Sequence, residues 1–330
     1  MNLNDIKKML ADRTALGRWL FQRYKSYRGR ERHVSLGDDN PNKTFYLIGY
    51  EDLSGGLFWL VNKAIMHIAY ALDHGYIPVI DYKSHRTQYT ETNDTGKQNI
   101  WEVYFKQPAG YSLDDISKSR NIIINRQEPA PEPQYLMGQY EFYDNVKRIE
   151  YFRNIFKKHI ICNDITAEYL RDIHEKCFKG RGRIIGVLCR GTDYVAIKPK
   201  GHPVQPAPSD VIKDVRKAMS DYKYDSVFLA TEDADIVTMF HEAFGDSLIC
   251  LEQERIHGKE MDGKNYLAQE KDRHLTNRNR HDDALSYLAA IYLLAHCNCF
   301  FGGRTGGTKG VLLMSDGFEH SKIYDLGLYS

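Results

Sequence analysis

From residue 45 onward the chain alternates short runs of β-branched and aromatic residues with longer stretches of helical periodicity, the signature of parallel-sheet α/β architecture. Runs at 45–50, 77–81 and 121–125 read as strands, with a helix over 57–74 between the first two. Five further apolar runs follow, at 184–189, 226–231, 248–251, 297–301 and 322–326. Helical patterns at 209–220, 234–244 and 281–296 separate them, and the aromatic, basic stretch 140–159 reads as one more helix. The 330 residues exceed the roughly 250 to 300 at which one hydrophobic core stops growing. Two α/β lobes are therefore expected, over 45–160 and 161–330, preceded by an N-terminal segment over 1–44.

That segment carries Leu3, Ile6, Met9, Leu10, Leu16, Leu20, Tyr24 and Tyr27 at helical spacing among many Lys and Arg residues. A basic amphipathic helix over residues 3–30 follows from this pattern. Two roles suit it: packing on a lobe, or peripheral contact with an anionic membrane surface. Over the whole chain Lys and Arg total 45 against 44 Asp and Glu, so there is no global field of the kind that non-specific nucleic-acid binding uses. No run approaches the roughly 20 apolar residues of a membrane span, and the N-terminus lacks a signal-peptide core. Six scattered cysteines without CxxC spacing read as reduced thiols, and no His, Cys or carboxylate spacing points to a metal. A cytoplasmic protein without nucleic-acid partners is the expectation.

Three of the second-lobe strands run into polar clusters, and in open α/β sheets ligands lie outside the carboxyl ends of strands. The first cluster is Arg190-Gly191-Thr192-Asp193. An Arg carried by a buried strand needs an anion, and its planar fork matches phosphate oxygens. Two readings stand: a bound phosphate, or an internal ion pair with Asp193 or Glu232. The second cluster is Thr231-Glu232-Asp233 before a helix, where the carboxylates either cap that helix or accept from the N–H and hydroxyl groups of a nucleotide. The third runs from Gly302 through Arg304, Thr305, Gly306 and Thr308. Its glycines and the following helix start suit either a tight turn or an anion. In the first lobe, Glu51-Asp52-Leu53-Ser54-Gly55-Gly56 forms another strand–loop–helix junction, with Glu51 and Asp52 as carboxylates for a bound acceptor. His202 and His281 read as loop or surface histidines.

In this order the three clusters resemble those of the GT-B fucosyltransferase superfamily, which includes bacterial α-1,6 and α-1,2 enzymes and protein O-fucosyltransferases. The matching residues are Leu188 to Asp193, Ala230 to Asp233 and Gly303 to Thr308, with His202-Pro203 downstream of the first and Ser54, Gly55 and Gly56 opening the acceptor side. The resemblance implies two Rossmann-like lobes facing a cleft, with 45–160 on the acceptor side and 161–330 binding the nucleotide sugar. It also implies an inverting, metal-independent transfer of L-fucose from GDP-fucose to a glycan or lipid-linked saccharide, as in polysaccharide biosynthesis, with no cofactor required. The alternatives are a transferase for another nucleotide-linked sugar and a non-catalytic nucleotide- or glycan-binding protein. Donor contacts fall to Arg190, Thr192, Thr231, Glu232, Asp233, Arg304, Thr305, Gly306 and Thr308, and the candidate bases are Asp193, Glu51 and Asp52. Three positions depart from the family pattern: Leu188 replaces its His, Gly191 its second Arg, and Lys198 an acidic residue of the α-1,6 enzymes.

Overall fold

The computed structural model describes residues 30–50, 55–83, 87–89, 96–127, 130–138, 140–257, 267 and 279–330. The expected basic helix lies outside the described residues, apart from Arg30, and so do Glu51, Asp52 and Ser54. The chain divides into two compact units. One takes the described residues up to Gly55 with Lys63–Leu136 and His159–Ile161; the other takes Gly56–Asn62, Met137–Lys158 and Cys162–Ser330. Both are of the α/β class. Among the described residues no helix is long and apolar enough to cross a membrane.

The first unit holds strands β1 (Arg32–Val34), β2 (Phe45–Ile48), β3 (Ile77–Ile80) and β4 (Ile122–Asn125), in the order β1-β4-β2-β3. Strand β2 pairs in parallel with β3 and β4, whereas β1 is antiparallel to β4. Helix α1 (Leu57–Asp73) leads from β2 to β3; its residues up to Asn62 group with the second unit. Short helices α2 (Ile100–Tyr104) and α3 (Leu113–Ile116) precede β4. Phe45, Val79, Ile116 and Ile122 make one buried cluster. Within the unit a fully buried His67 is hydrogen-bonded at Nδ1 to the Tyr46 hydroxyl (3.1 Å) and donates from Nε2 to the carbonyl of Gln127 (3.1 Å). Both ring nitrogens are thus hydrogen-bonded.

The second unit carries a five-stranded, all-parallel sheet. Its chain runs through α4 (Val146–His159), α5 (Asp164–Phe178), β5 (Ile184–Leu188), α6 (Asp193–Ile197), α7 (Pro208–Tyr222), β6 (Ser226–Ala230), α8 (Ala234–Phe244) and β7 (Leu248–Cys250). It ends with α9 (Arg280–Ala295), β8 (Cys299–Gly303), α10 (Gly306–Met314) and β9 (His320–Tyr324). The sheet order is β7-β6-β5-β8-β9. Strands β5, β6 and β8 are buried at every residue, which is why they read as continuous apolar runs rather than alternating ones. Their side chains feed a core of Val187, Val215, Leu229, Ile236 and Phe240 on one face. On the other, Phe178 of α5 meets Phe228 edge-on at 5.6 Å.

Several boundaries differ from the sequence expectation. Strand β8 begins at Cys299, because Cys297 still belongs to the exit of α9: its amide donates to Leu294 O (3.3 Å) and its thiol to Leu293 O (3.3 Å). The strand then continues through Gly302 and Gly303, which pair with Leu188 of β5 and with Ile323 and Tyr324 of β9. Those glycines are therefore strand residues, and a Cβ on Gly303 would strike the Gln205 side chain. The stretch expected as one helix over 140–159 is a 3₁₀ turn at Glu141–Asp144, a break at Asn145, and α4. All six cysteines are free thiols.

Candidate active site

The sheet reverses its direction of growth at β5: β6 and β7 are added on one side, β8 and β9 on the other. A crevice forms at such a switch point outside the strand carboxyl ends. Here it is a cavity of about 300 Å³, lined by Leu188, Cys189 and Arg190 after β5, Ala230, Thr231 and Glu232 after β6, and Thr305 after β8. The three clusters singled out in the sequence thus meet on one wall. The loop after β7 adds Glu252, Gln253 and Glu254, and α9 adds Asn279, Asp282, Asp283, Ser286, Tyr287 and Ala290.

Arg190 has a side chain 19% exposed, and it pairs with Asp193 through Nη2 to Oδ1 at 2.5 Å. Its guanidinium lies 4.6 Å from the centre of the Tyr194 ring. The internal ion pair weighed in the sequence is therefore present. Its Nε is buried without a hydrogen-bond partner among the described residues. Burial works against the charge, but Asp193 and then Glu232 outweigh it and push the guanidinium above its ordinary pKa. Arg190 is a fixed cation on the cavity wall. Asp193 also accepts from the amides of Tyr194 (2.9 Å) and Leu267 (3.3 Å), so its carboxylate is held on three sides.

Gly191 stands where the resemblance has a second Arg, and the structure gives the reason it is glycine. A Cβ there would collide with Ile236 Cδ1 and come within 2.6 Å of Asp233 Oδ2. A larger residue between β5 and the start of α8 would have to displace these two side chains. Asp233 itself is spent on that helix, since Oδ1 accepts from the amides of Asp235 (2.8 Å) and Ile236 (3.3 Å). Of the two carboxylates, Asp233 is the cap and does not line the cavity, whereas Glu232 does.

Thr305 caps α10 by accepting from the Thr308 amide (3.1 Å), and Thr308 Oγ1 donates back to Gly303 O at 2.5 Å. Two more contacts hold the turn: Tyr143 donates to Thr305 O (2.8 Å) and Asn62 to Gly306 O (3.1 Å). Arg304, which is 3% exposed, points into a network of its own. It pairs with Asp144 (2.6 Å) and Asp325 (3.1 Å) and stacks 4.2 Å from the Tyr140 ring. It is not among the residues lining the cavity, and nor are Thr192, Asp193, Gly306 and Thr308. Thr192 sits at the start of α6 with its hydroxyl buried and unpartnered among the described residues. Gly55 and Gly56 are described at the entry to α1; Gly56 O accepts from the amides of Trp59 (2.8 Å) and Leu60 (3.1 Å). Lys198, exposed in the left-handed region (φ 49°), ends α6.

No protein-family model matches the sequence, and no curated protein matches it. The solved structures to which this chain is similar include the following three. The fucosyltransferase NodZ from Bradyrhizobium is 16% identical with a TM-score of 0.46, over 83% of this chain and 94% of that one. A variant of Arabidopsis thaliana FUT1 in complex with GDP is 8% identical at a TM-score of 0.48, over 84% and 70%. POFUT1 in complex with GDP-fucose is 10% identical at 0.42, over 86% and 98%.

The cavity contains residues that the sequence reading missed. Asn279, Asp282, Asp283, Ser286, Tyr287 and Ala290 follow the three-then-one spacing of a single helical stripe. A polar stripe at the start of an otherwise apolar helix was the available signal. Arg255 is the opposite case, a cation near the site that is already occupied. Its donors go to the carbonyls of Leu251 (2.7 Å), Thr231 (3.3 Å) and Gln253 (3.2 Å), which fixes the loop after β7. Among the described residues no group of three or more His, Cys, Asp or Glu side chains is placed to hold a metal ion.

Proposed function

We propose that this chain is a glycosyltransferase that takes a nucleoside-diphosphate sugar, GDP-L-fucose, in the cavity beyond β5, β6 and β8. The observation that carries the reading is the wall itself. It sets one guanidinium with an unspent donor, Arg190, among the carboxylates of Glu232, Glu252, Glu254, Asp282 and Asp283. A ligand suited to such a wall has an anionic part for Arg190 and N–H or hydroxyl donors elsewhere. A purine diphosphate whose base presents N–H groups, as guanine does, meets both demands. The ordered resemblance of the three clusters supports the same donor.

In this reaction an acceptor hydroxyl attacks the anomeric carbon, the bond to the diphosphate breaks, and GDP leaves with inversion. Arg190 faces the charge that grows on the leaving group, and Asp193 and Tyr194 hold the guanidinium ready so that no reorganisation is needed during the step. Thr305 and the fixed turn into α10 form the other border of the phosphate region. With Asp193 engaged by Arg190, the base falls to a carboxylate on the acceptor side, Glu51 or Asp52. The acceptor is a glycan or a lipid-linked saccharide, and the donor's diphosphate needs no metal.

Thermal melting of the full chain with GDP, UDP, CDP and ADP tests the donor assignment, because a ligand that binds only the folded form raises the melting temperature by mass action. GDP should give the largest rise. Equal rises for all four would remove the carboxylate wall as a guanine reader, and no rise with any would remove the nucleotide site.

A further inference from the structure

Tyr287 reaches the cavity from the polar stripe of α9, and nothing in the reading above gives it a role. Its ring stands at 90° to that of Phe58, with centroids 5.6 Å apart. Phe58 is 1% exposed and lies so close to α10 that a Cβ on Gly310 would strike it. The phenol ring is thus braced against a fixed neighbour. Its hydroxyl oxygen lies 2.8 Å from where a Cβ of Gly307 would stand. Glycine at 307 is what lets the phenol come so near the first turn of α10, the turn whose leading amides have no intrahelical partner. Guanidinium, phenol and helix start therefore border one part of the same cavity, whose lining includes Arg190, Tyr287 and Thr305.

We propose that the Tyr287 hydroxyl binds the donor's diphosphate, donating a hydrogen bond to a phosphate oxygen between Arg190 and the first turn of α10. The inference rests on the nucleoside-diphosphate reading and adds a residue that the three clusters do not contain. It accounts for a site lined, among the described residues, by a single arginine: with Gly191 crowded by Ile236 and Asp233, a neutral O–H supplies a further side-chain donor without a second charge to bury. It also accounts for Gly307, whose missing side chain gives the phenol its place.

Calorimetric titration of GDP and of guanosine into the full chain tests this, with Tyr287→Phe, Gly307→Ala and the double variant alongside wild type. Tyr287→Phe keeps the ring against Phe58 and should weaken GDP about tenfold or more, as expected for a hydrogen bond to a charged group, while leaving guanosine unchanged. Gly307→Ala, whose methyl displaces the phenol, should weaken GDP comparably. Adding it to Tyr287→Phe should cost little more, because the methyl then takes the space of the absent hydroxyl. Wild-type affinity for GDP in Tyr287→Phe, or an equal loss for guanosine and GDP, overturns this inference alone. A wild-type chain that binds no GDP overturns it together with the reading on which it rests.

Discussion

Arg190 and Gly191 are adjacent, and their environments differ sharply. The Arg190 side chain turns into a cavity where Asp193 and Tyr194 hold it and its Nε keeps no partner among the described residues; Gly191 sits against the Ile236 and Asp233 side chains, which a methyl group would have to displace. The sequence made Arg190 legible as a strand-end cation, because a buried apolar run led straight into it. It could not say whether Asp193 or a phosphate met the charge, since both satisfy the same local pattern. Nor could spacing show why position 191 is glycine, because Asp233 and Ile236 are 42 and 45 residues away and approach only through the pairing of β5 with β6. Gly191→Ala should lower unfolding stability by about 1–3 kcal/mol, the usual cost of forcing an extra group into a packed region. Urea denaturation measures it, and a variant as stable as wild type would show that the contact relaxes freely.

The elements that were easiest to read are those buried on both faces. Strands β5 and β6 were placed to within one residue, since Ile184–Leu188 and Ser226–Ala230 have no polar side to blur the pattern. Strand β1 was missed: it has three residues, two of them exposed, and exists through antiparallel pairing with β4. Helix α5 was missed as well. Its sequence is polar on most faces, and its identity comes from the Asn163 cap, which accepts from the Thr166 amide (2.9 Å), and from packing on α9. That packing includes His174, whose ring centre lies 5.4 Å from that of His296. Burial lowers the His174 pKa below its ordinary 6.5, and His296 lowers it further against a smaller opposing effect of Glu175. The folded chain therefore binds this proton more weakly than the unfolded one. The stabilisation is complete above pH 6.5 and is lost as pH falls toward and through the lowered value. Urea midpoints measured from pH 7.5 to pH 5 should drop less steeply in His174→Gln than in wild type; identical slopes would show that this proton is not linked to folding.

At the scale of the whole molecule, the α/β class followed from alternating patterns, and the second unit's sheet order explains why three distant clusters share a wall. Residues 190, 232 and 305 are carried by β5, β6 and β8, neighbours in the sheet though not all consecutive in the chain. The contribution of α9 was not legible in the same way, because Asp282, Asp283 and Tyr287 reach the cavity from a helix rather than from a strand end. Glycosyl transfer from GDP-fucose is the activity proposed for this wall, and Arg190 is its central residue. The most direct measurement is the rate at which GDP is released from saturating GDP-fucose, with EDTA present, by wild type and by Arg190→Lys. Wild type should release GDP above the buffer background. The lysine variant, whose point charge cannot replace the planar fork, should be slower by about a hundredfold. Equal rates for the two proteins, or no release by wild type, would contradict the account.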